Sequence, residues 1–333
     1  MKKITLSLLG LIAFVAVMAQ SNITRDTYVY AIKGSDTLHL DIYLDHSIAV
    51  KELRPVMIHV HGGGFSAGSR KNAAQEMFNR HYAEHGFVSV SIDYRLAATP
   101  DNKYKVTGIE DVVRIATEDL VSATNFILGK ANELKADPAT ILISGGSAGA
   151  ITCLTLEHDI CNHVEYTKAL PKGFNYAGII SHAGSIAIPG GGKTLIWAEK
   201  PCPMLLIHGD KDFAVPFDSG EMLGLTSVGT KYLHEQFKEM KVPHWAYVAK
   251  GADHIMAMKA LTDNNEESDR FFRSFIVDKC QSIVYTEWAD AEPADMSSVD
   301  QMVKYVPLYI LGFGKYLEEM ENMPIEKPKN IVF

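Results

Sequence analysis

The chain is short of cysteine, of positive charge and of long apolar runs, and each shortage closes off a class of function. Four cysteines, Cys153, Cys161, Cys202 and Cys280, occur in 333 residues, and no two stand in a C-x-x-C. That spacing marks many zinc sites and thioredoxin-like redox centres, so neither chemistry is indicated. Disulfides remain open: four cysteines allow three full pairings, and four free thiols are an equal alternative. Cys153 and Cys161 are a poor pair if both lie on one helix, where eight residues span about 12 Å, roughly twice a disulfide's reach. The net charge of −8 argues against nucleic acid, whose phosphates select basic surfaces. The one sustained apolar run, from Ile4 to Met18, is interrupted by Thr5, Ser7 and Gly10 and falls short of the roughly 20 residues that cross a bilayer.

That run has the make-up of an export signal: Lys2 and Lys3 before it, and Val17-Met18-Ala19 at its end. Residues 1–19 are expected to be removed, leaving Gln20 first and the net charge two units more negative. The mature chain is then expected in the periplasm or outside the cell, without membrane insertion. Internal repeats and low-complexity segments are lacking too.

What is present begins with an alternating pattern over 27–32 and 38–44 around Lys33-Gly34-Ser35-Asp36, which predicts an antiparallel hairpin. Short runs rich in β-branched residues then alternate with stretches of helical spacing. Strands are predicted over 56–60, 88–93, 140–144, 177–181, 204–207 and 245–248, and helices over 68–85, 108–134, 147–159, 219–241 and 266–280. Such alternation predicts an α/β fold, a mostly parallel central sheet with helices on both faces. Residues 20–280 read as one domain. Residues 281–333 read as an extension that packs on it, with a cap or a dimer contact as alternatives.

The glycines of Gly145-Gly146-Ser147-Ala148-Gly149 fit a sharp turn from strand to helix that holds a strained serine at the carboxyl edge of the sheet. Five residues with two fixed glycines are a weak signal alone. The preceding strand pattern and the following helix pattern supply the context the motif requires. A second glycine cluster, His61-Gly62-Gly63-Gly64-Phe65, directly follows a strand. Its amides can turn inward to stabilise the oxyanion of an acyl-transfer intermediate, and the expected donors are Gly63, Gly64 and Ala148. His59 and His61 share a strand face, but no acidic cluster accompanies them to suggest a metal.

A serine hydroxyl needs a histidine to take its proton and a carboxylate to hold that histidine. His254 follows the last predicted strand in a loop, whereas His244 precedes it and His208 sits at a strand end beside Gly209. For the acid, Asp212 is preferred to Asp210, and Asp253 stands too near His254 in sequence to orient its ring. The order Ser147, Asp212, His254 is the one this fold class uses. Pro189-Gly190-Gly191-Gly192-Lys193-Thr194 ends like a phosphate-binding loop, but Ala187 stands where its first glycine is required. It is read as a loop near the site mouth, with Trp197 lining an acyl or alcohol pocket.

Through these motifs, together with Asp93-Tyr94-Arg95-Leu96-Ala97 and His208-Gly209-x-x-Asp212-x-x-Val215-Pro216, residues 50 to 280 resemble the α/β-hydrolase superfamily. Within it the chain is similar to the hormone-sensitive-lipase-like and feruloyl-esterase-like bacterial carboxylesterases. It departs from the lipase-like branch at Ala98-Thr99, where Pro-Glu is usual, and at Gly146, where an acid is frequent. In that branch the motif's arginine pairs with an aspartate on the next helix, which implies an Arg95–Asp111 pair here. The function expected is a secreted serine carboxylesterase without metal or cofactor, acting on small-molecule or carbohydrate esters such as acetyl or hydroxycinnamoyl esters. A prolyl-oligopeptidase-like exopeptidase and a non-catalytic binding protein on the same scaffold are the alternatives, and oligomeric state is left open.

Overall fold

The computed structural model of the chain describes residues 22–49, 52–99, 101–222 and 224–289. The expected export signal and residues 290–333 lie outside the described residues. Two strands open the fold, β1 (Ile23–Lys33) and β2 (Asp36–Asp45), paired antiparallel. There follow β3 (Arg54–Val60), α1 (Ala73–Glu84), β4 (Val88–Ile92), α2 (Ile109–Gly129), the short α3 (Ala131–Leu134), β5 (Ala136–Gly146), α4 (Ala148–Cys161) and β6 (Gly178–His182). The remainder runs β7 (Ser185–Ala187), β8 (Met204–Gly209), β9 (Ser219–Met222), β10 (Leu225–Gly229), α5 (Thr230–Met240), β11 (His244–Lys250), α6 (Met256–Asp263), α7 (Asn265–Phe271) and β12 (Ile283–Ala289).

The main sheet has the order β1-β2-β4-β3-β5-β6-β8-β11-β12. β2 meets β4 antiparallel, and every pairing from β4 onward is parallel. Residues along β4, β6 and β8 are all buried, as expected of strands covered on both faces. The period of two sorts β3 between those faces. Val56, Ile58 and Val60 join the core with α2, α4 and α5, while Met57 joins Leu142, Ile180 and Leu205 beneath α1, α6 and α7. Helices on both faces and the N-terminal hairpin thus match the expectation.

Three segments differ from it. The helix expected over 219–241 begins only at Thr230; β9 and β10 precede it and pair with β7 as a separate three-stranded sheet. Three glycines at 220, 224 and 229 with β-branched Thr226 and Val228 disfavour a helix there, and Gly224 at φ 83° permits the hairpin. The helix expected over 266–280 is α7, which ends at Phe271, followed by a π-helical turn over Phe272–Val277, and a separate, unexpected helix α6 precedes it, ending before Asn264. Residues 283–289, read as part of the extension, form β12 and join the sheet parallel to β11. They lie at the sheet edge and alternate between exposed and half-buried, without a buried face to mark them as part of the core. The cysteines form no disulfide among the described residues: Cys153, Cys161 and Cys202 are buried thiols and Cys280 is exposed.

Candidate active site

The turn between β5 and α4 is built on steric necessity. Ser147 has φ 53° and ψ −120°, a conformation that non-glycine residues adopt only where the surroundings impose it. A Cβ on Gly149 would stand 2.0 Å from the Val60 carbonyl oxygen, and one on Gly146 would stand 2.2 Å from that of Ala257. The latter contact explains why no acidic side chain occupies position 146. The Ser147 amide donates to the His182 carbonyl at 2.9 Å, which fixes the turn against β6.

Ser147, His254 and Asp212 come together from three distant segments. His254 Nε2 lies 2.8 Å from Ser147 Oγ, and His254 Nδ1 lies 2.7 Å from Asp212 Oδ2. All three side chains are largely buried. Asp212 Oδ1 accepts the amides of Ala214 and Val215 at 2.9 and 2.8 Å, and Oδ2 also takes His208 Nε2 at 3.0 Å. Burial pushes the Asp212 carboxyl pKa up, but the charge on His254 and the hydrogen bonds from His208 and His254 outweigh it and hold the group well below the usual carboxylate range. The residue is therefore an anion that can stabilise positive charge on the imidazole.

The rivals have other tasks. Asp210 accepts the Gly251 amide at 2.6 Å and pairs with Lys250 at 2.9 Å, which ties the loop carrying Asp212 to the loop carrying His254. The Asp253 carboxylate accepts the amide of Ile255. His244 donates from Nδ1 to the Val242 carbonyl and faces His234. His208 bridges Asp212 and Thr230. Its share in the acid was missed from sequence, although its place at the end of β8 put it within reach.

The glycine loop lies beside the nucleophile: a Cβ on Gly62 would be 3.4 Å from that of Ser147. The Gly63 carbonyl accepts the amides of Ser66 and Ala67 at 3.1 and 3.0 Å. Gly63 has φ 116°, and a Cβ there would stand 2.1 Å from the Ala67 oxygen. Among the described residues the N–H groups of Gly63, Gly64 and Ala148 have no protein acceptor. Such donors are free to receive a developing oxyanion.

The segment Asp93-Tyr94-Arg95 braces this loop from behind. Tyr94 donates its hydroxyl to the His61 carbonyl at 3.1 Å and stacks on the His61 ring at 4.3 Å. The His61 ring in turn donates Nδ1–H to the Gly62 carbonyl at 2.6 Å. Asp93 accepts both the backbone amide and the guanidinium of Arg70, and Arg70 reaches buried Asp41 at 2.9 Å. The bracing by Tyr94 and Arg70 had no signal in composition or spacing.

Two expectations are corrected. Arg95 pairs with Asp119 and Glu118 rather than Asp111, at 2.8 and 3.3 Å. Asp111 instead accepts from Thr107 ahead of α2 and pairs with Arg114; two helical turns farther on, Asp119 faces inward and is fully buried. Trp197 packs on His158 and Phe237 and donates its indole N–H to Gln236. His158 is eleven residues along α4 from Ser147, about 16 Å by helical rise, so Trp197 does not line a pocket at the serine.

Comparison with known proteins agrees with the topology. The BD-FAE family model matches residues 40–184. Gut esterase 1 of Caenorhabditis elegans is 30% identical over 219 residues, 64% of this chain and 33% of that protein. The probable carboxylic ester hydrolase LipM of Mycobacterium tuberculosis is 32% identical over 111 residues, 33% of this chain and 23% of its own length. The chain thus spans a third or less of these curated relatives. Among solved structures, esterase 2 of Thermogutta terrifontis superposes with a TM-score of 0.58 at 21% identity, over 75% of this chain and 92% of that one. Its sheet order, its strand-to-helix serine turn and these likenesses show the α/β-hydrolase fold, with residues 40–184 similar to the BD-FAE family.

Proposed function

We propose that the chain is an exported serine carboxylesterase. Ser147 Oγ attacks the acyl carbonyl while His254 Nε2 takes its proton, and the resulting oxyanion is held by the amides of Gly63, Gly64 and Ala148. Asp212 holds the His254 tautomer and stabilises the imidazolium. His254 then protonates the leaving alcohol, and water, deprotonated by the same ring, releases the acid from the acyl-serine. The observation that carries this reading is the unbroken hydrogen-bond series from Ser147 through His254 to Asp212 beside the glycine loop. The Thermogutta esterase is known in a form phosphorylated by paraoxon, and the same reagent is expected to modify Ser147 here.

The substrate class proposed is acetyl or hydroxycinnamoyl esters on carbohydrates, supported by the resemblance to feruloyl-esterase-like enzymes. Export is supported by the pattern of residues 1–19, and the N-terminus of secreted material is expected at Gln20. The deciding experiment measures p-nitrophenyl acetate, methyl ferulate, an acetylated xylan and a proline nitroanilide with wild type and Ser147→Ala. Ester cleavage that disappears in the variant, with the anilide untouched, is the expected result. Amide cleavage without ester cleavage, or no reaction with paraoxon, would sink the assignment.

A further inference from the structure

We propose that His81, His85 and Asp269 form a site for a divalent transition ion, Zn²⁺ by preference, that staples α1 to α7. His81 and His85 stand one turn apart at the end of α1, with ring centroids 4.2 Å apart. Asp269, 188 residues along the chain from His81, reaches across from α7. Its two carboxylate oxygens lie 2.9 and 3.1 Å from His81 Nε2, and Oδ2 lies 3.8 Å from His85 Nε2. One ligand atom from each residue lies within 4.8 Å of the others. Zinc with bonds of about 2.0 Å holds tetrahedral donors roughly 3.3 Å apart. The carboxylate spacings bracket that value, and a small shift of the partly exposed Asp269 carboxylate closes the remainder.

The second observation is the hydrogen bond behind His85. Its Nδ1 stands 2.7 Å from the His81 carbonyl oxygen, which can only accept, so Nδ1 carries the hydrogen. In the neutral ring Nε2 is left with a lone pair, directed toward a carboxylate that has no proton to offer. Two such acceptors gain from facing each other only with a cation between them. Histidine ligands commonly give their other ring N–H to a backbone carbonyl in this manner, which fixes the tautomer and the ring's direction. Two imidazoles with one carboxylate suit zinc and its neighbours rather than calcium or magnesium, which take oxygen ligands. With 50% of the His85 side chain and 37% of Asp269 exposed, water can complete the shell. α1 leads down into β4, so the site lies at the amino edge of the parallel strands, opposite the edge that carries Ser147. Its role is to join two helices, independent of ester hydrolysis.

The competing arrangement is a protonated His85 paired with Asp269, which binds no metal. The test uses the full chain, treated with EDTA, dialysed and titrated with zinc chloride by calorimetry at neutral pH. One equivalent is expected to bind, and the thermal midpoint is expected to rise with zinc concentration. His85→Ala and Asp269→Asn are each expected to weaken binding about tenfold or more and to remove the thermal response. Asp269→Asn keeps the shape of the side chain, and circular dichroism of both variants verifies their fold. Wild type that takes up no zinc at about 100 µM free metal, or folded variants that bind it as well as wild type, would overturn the proposal.

Discussion

Up to residue 184 the serine turn and the glycine loop meet by close backbone contact with Tyr94 and Arg70 behind them, whereas beyond residue 185 backbone contact such as Gly209 against Ala252 is joined by the catalytic side chains reaching between loops. In the first region Gly149 fits against Val60, Gly62 against the serine turn, and the glycine loop is braced by Tyr94 and Arg70. Beyond it, Asp212 and His254 stand on loops after β8 and β11, joined by the Asp212 hydrogen bonds and by Asp210 with Lys250 and Gly251. The family model ends at residue 184. Close backbone contact leaves little freedom of residue type, so likeness concentrates there. A carboxylate and an imidazole can be delivered to one point by loops of varied sequence.

If both regions serve one reaction, breaking either should be comparably severe. Ser147→Ala is expected to lower kcat for p-nitrophenyl acetate by about 10⁴-fold or more. Asp212→Asn, which keeps the loop hydrogen bonds but presents the wrong tautomer to His254, should cost about 10⁴-fold. Pre-steady-state and steady-state rates on both variants check this. An Asp212→Asn enzyme within tenfold of wild type would leave the second region without its assigned part.

The regions should separate in stability. Asp119 is fully buried against Arg95, so Arg95→Ala strands a buried carboxylate and should cost about 3–5 kcal/mol in urea unfolding. Lys250→Ala removes an exposed cation from the loop region and should leave the midpoint nearly where it was. Equal losses would erase the contrast. A subtler probe of the first region is Gly63→Ala, where the added Cβ meets the Ala67 oxygen. It should lower kcat by about 10²–10³-fold with little change in KM, which steady-state kinetics can resolve.

Legibility in sequence follows the same division. The central strands β3, β4, β6 and β8 are short, almost wholly buried and apolar, so their pattern and the motifs at their ends could be read directly. Ser147 and the glycine loop announce themselves because sterics dictate their residue types. β7, β9 and β10 are strands of three to five residues in a small sheet and β12 lies at an edge, and runs so short or so exposed show no clear pattern. Choosing Asp119 over Asp111 required knowing which face of α2 points inward, and spacing from Arg95 alone does not give it.

Acid offers a final comparison, because each region buries a histidine at a strand end. Burial pushes His182 on β6 and His244 on β11 down to about 4 from an ordinary 6.5, against weaker raising effects of the nearby Gly145 backbone and of the His244 hydrogen bond to Val242. Between those values the unfolded chain takes up a proton that the native ring refuses. Stability therefore falls as pH drops from about 6.5 toward 4, by roughly 1.4 kcal/mol per pH unit for each such ring. Asp212 adds nothing in this window: its carboxyl is held below the ordinary 3.8, so its contribution is intact above that value and is lost only in stronger acid. Urea midpoints across the window should give a slope that His182→Gln and His244→Gln each reduce by about one proton. The slope is the reading, because either variant can change the absolute midpoint through packing alone. A slope that neither substitution alters would mean that both rings are already protonated in the native protein, and that the two regions do not exclude water as their burial implies.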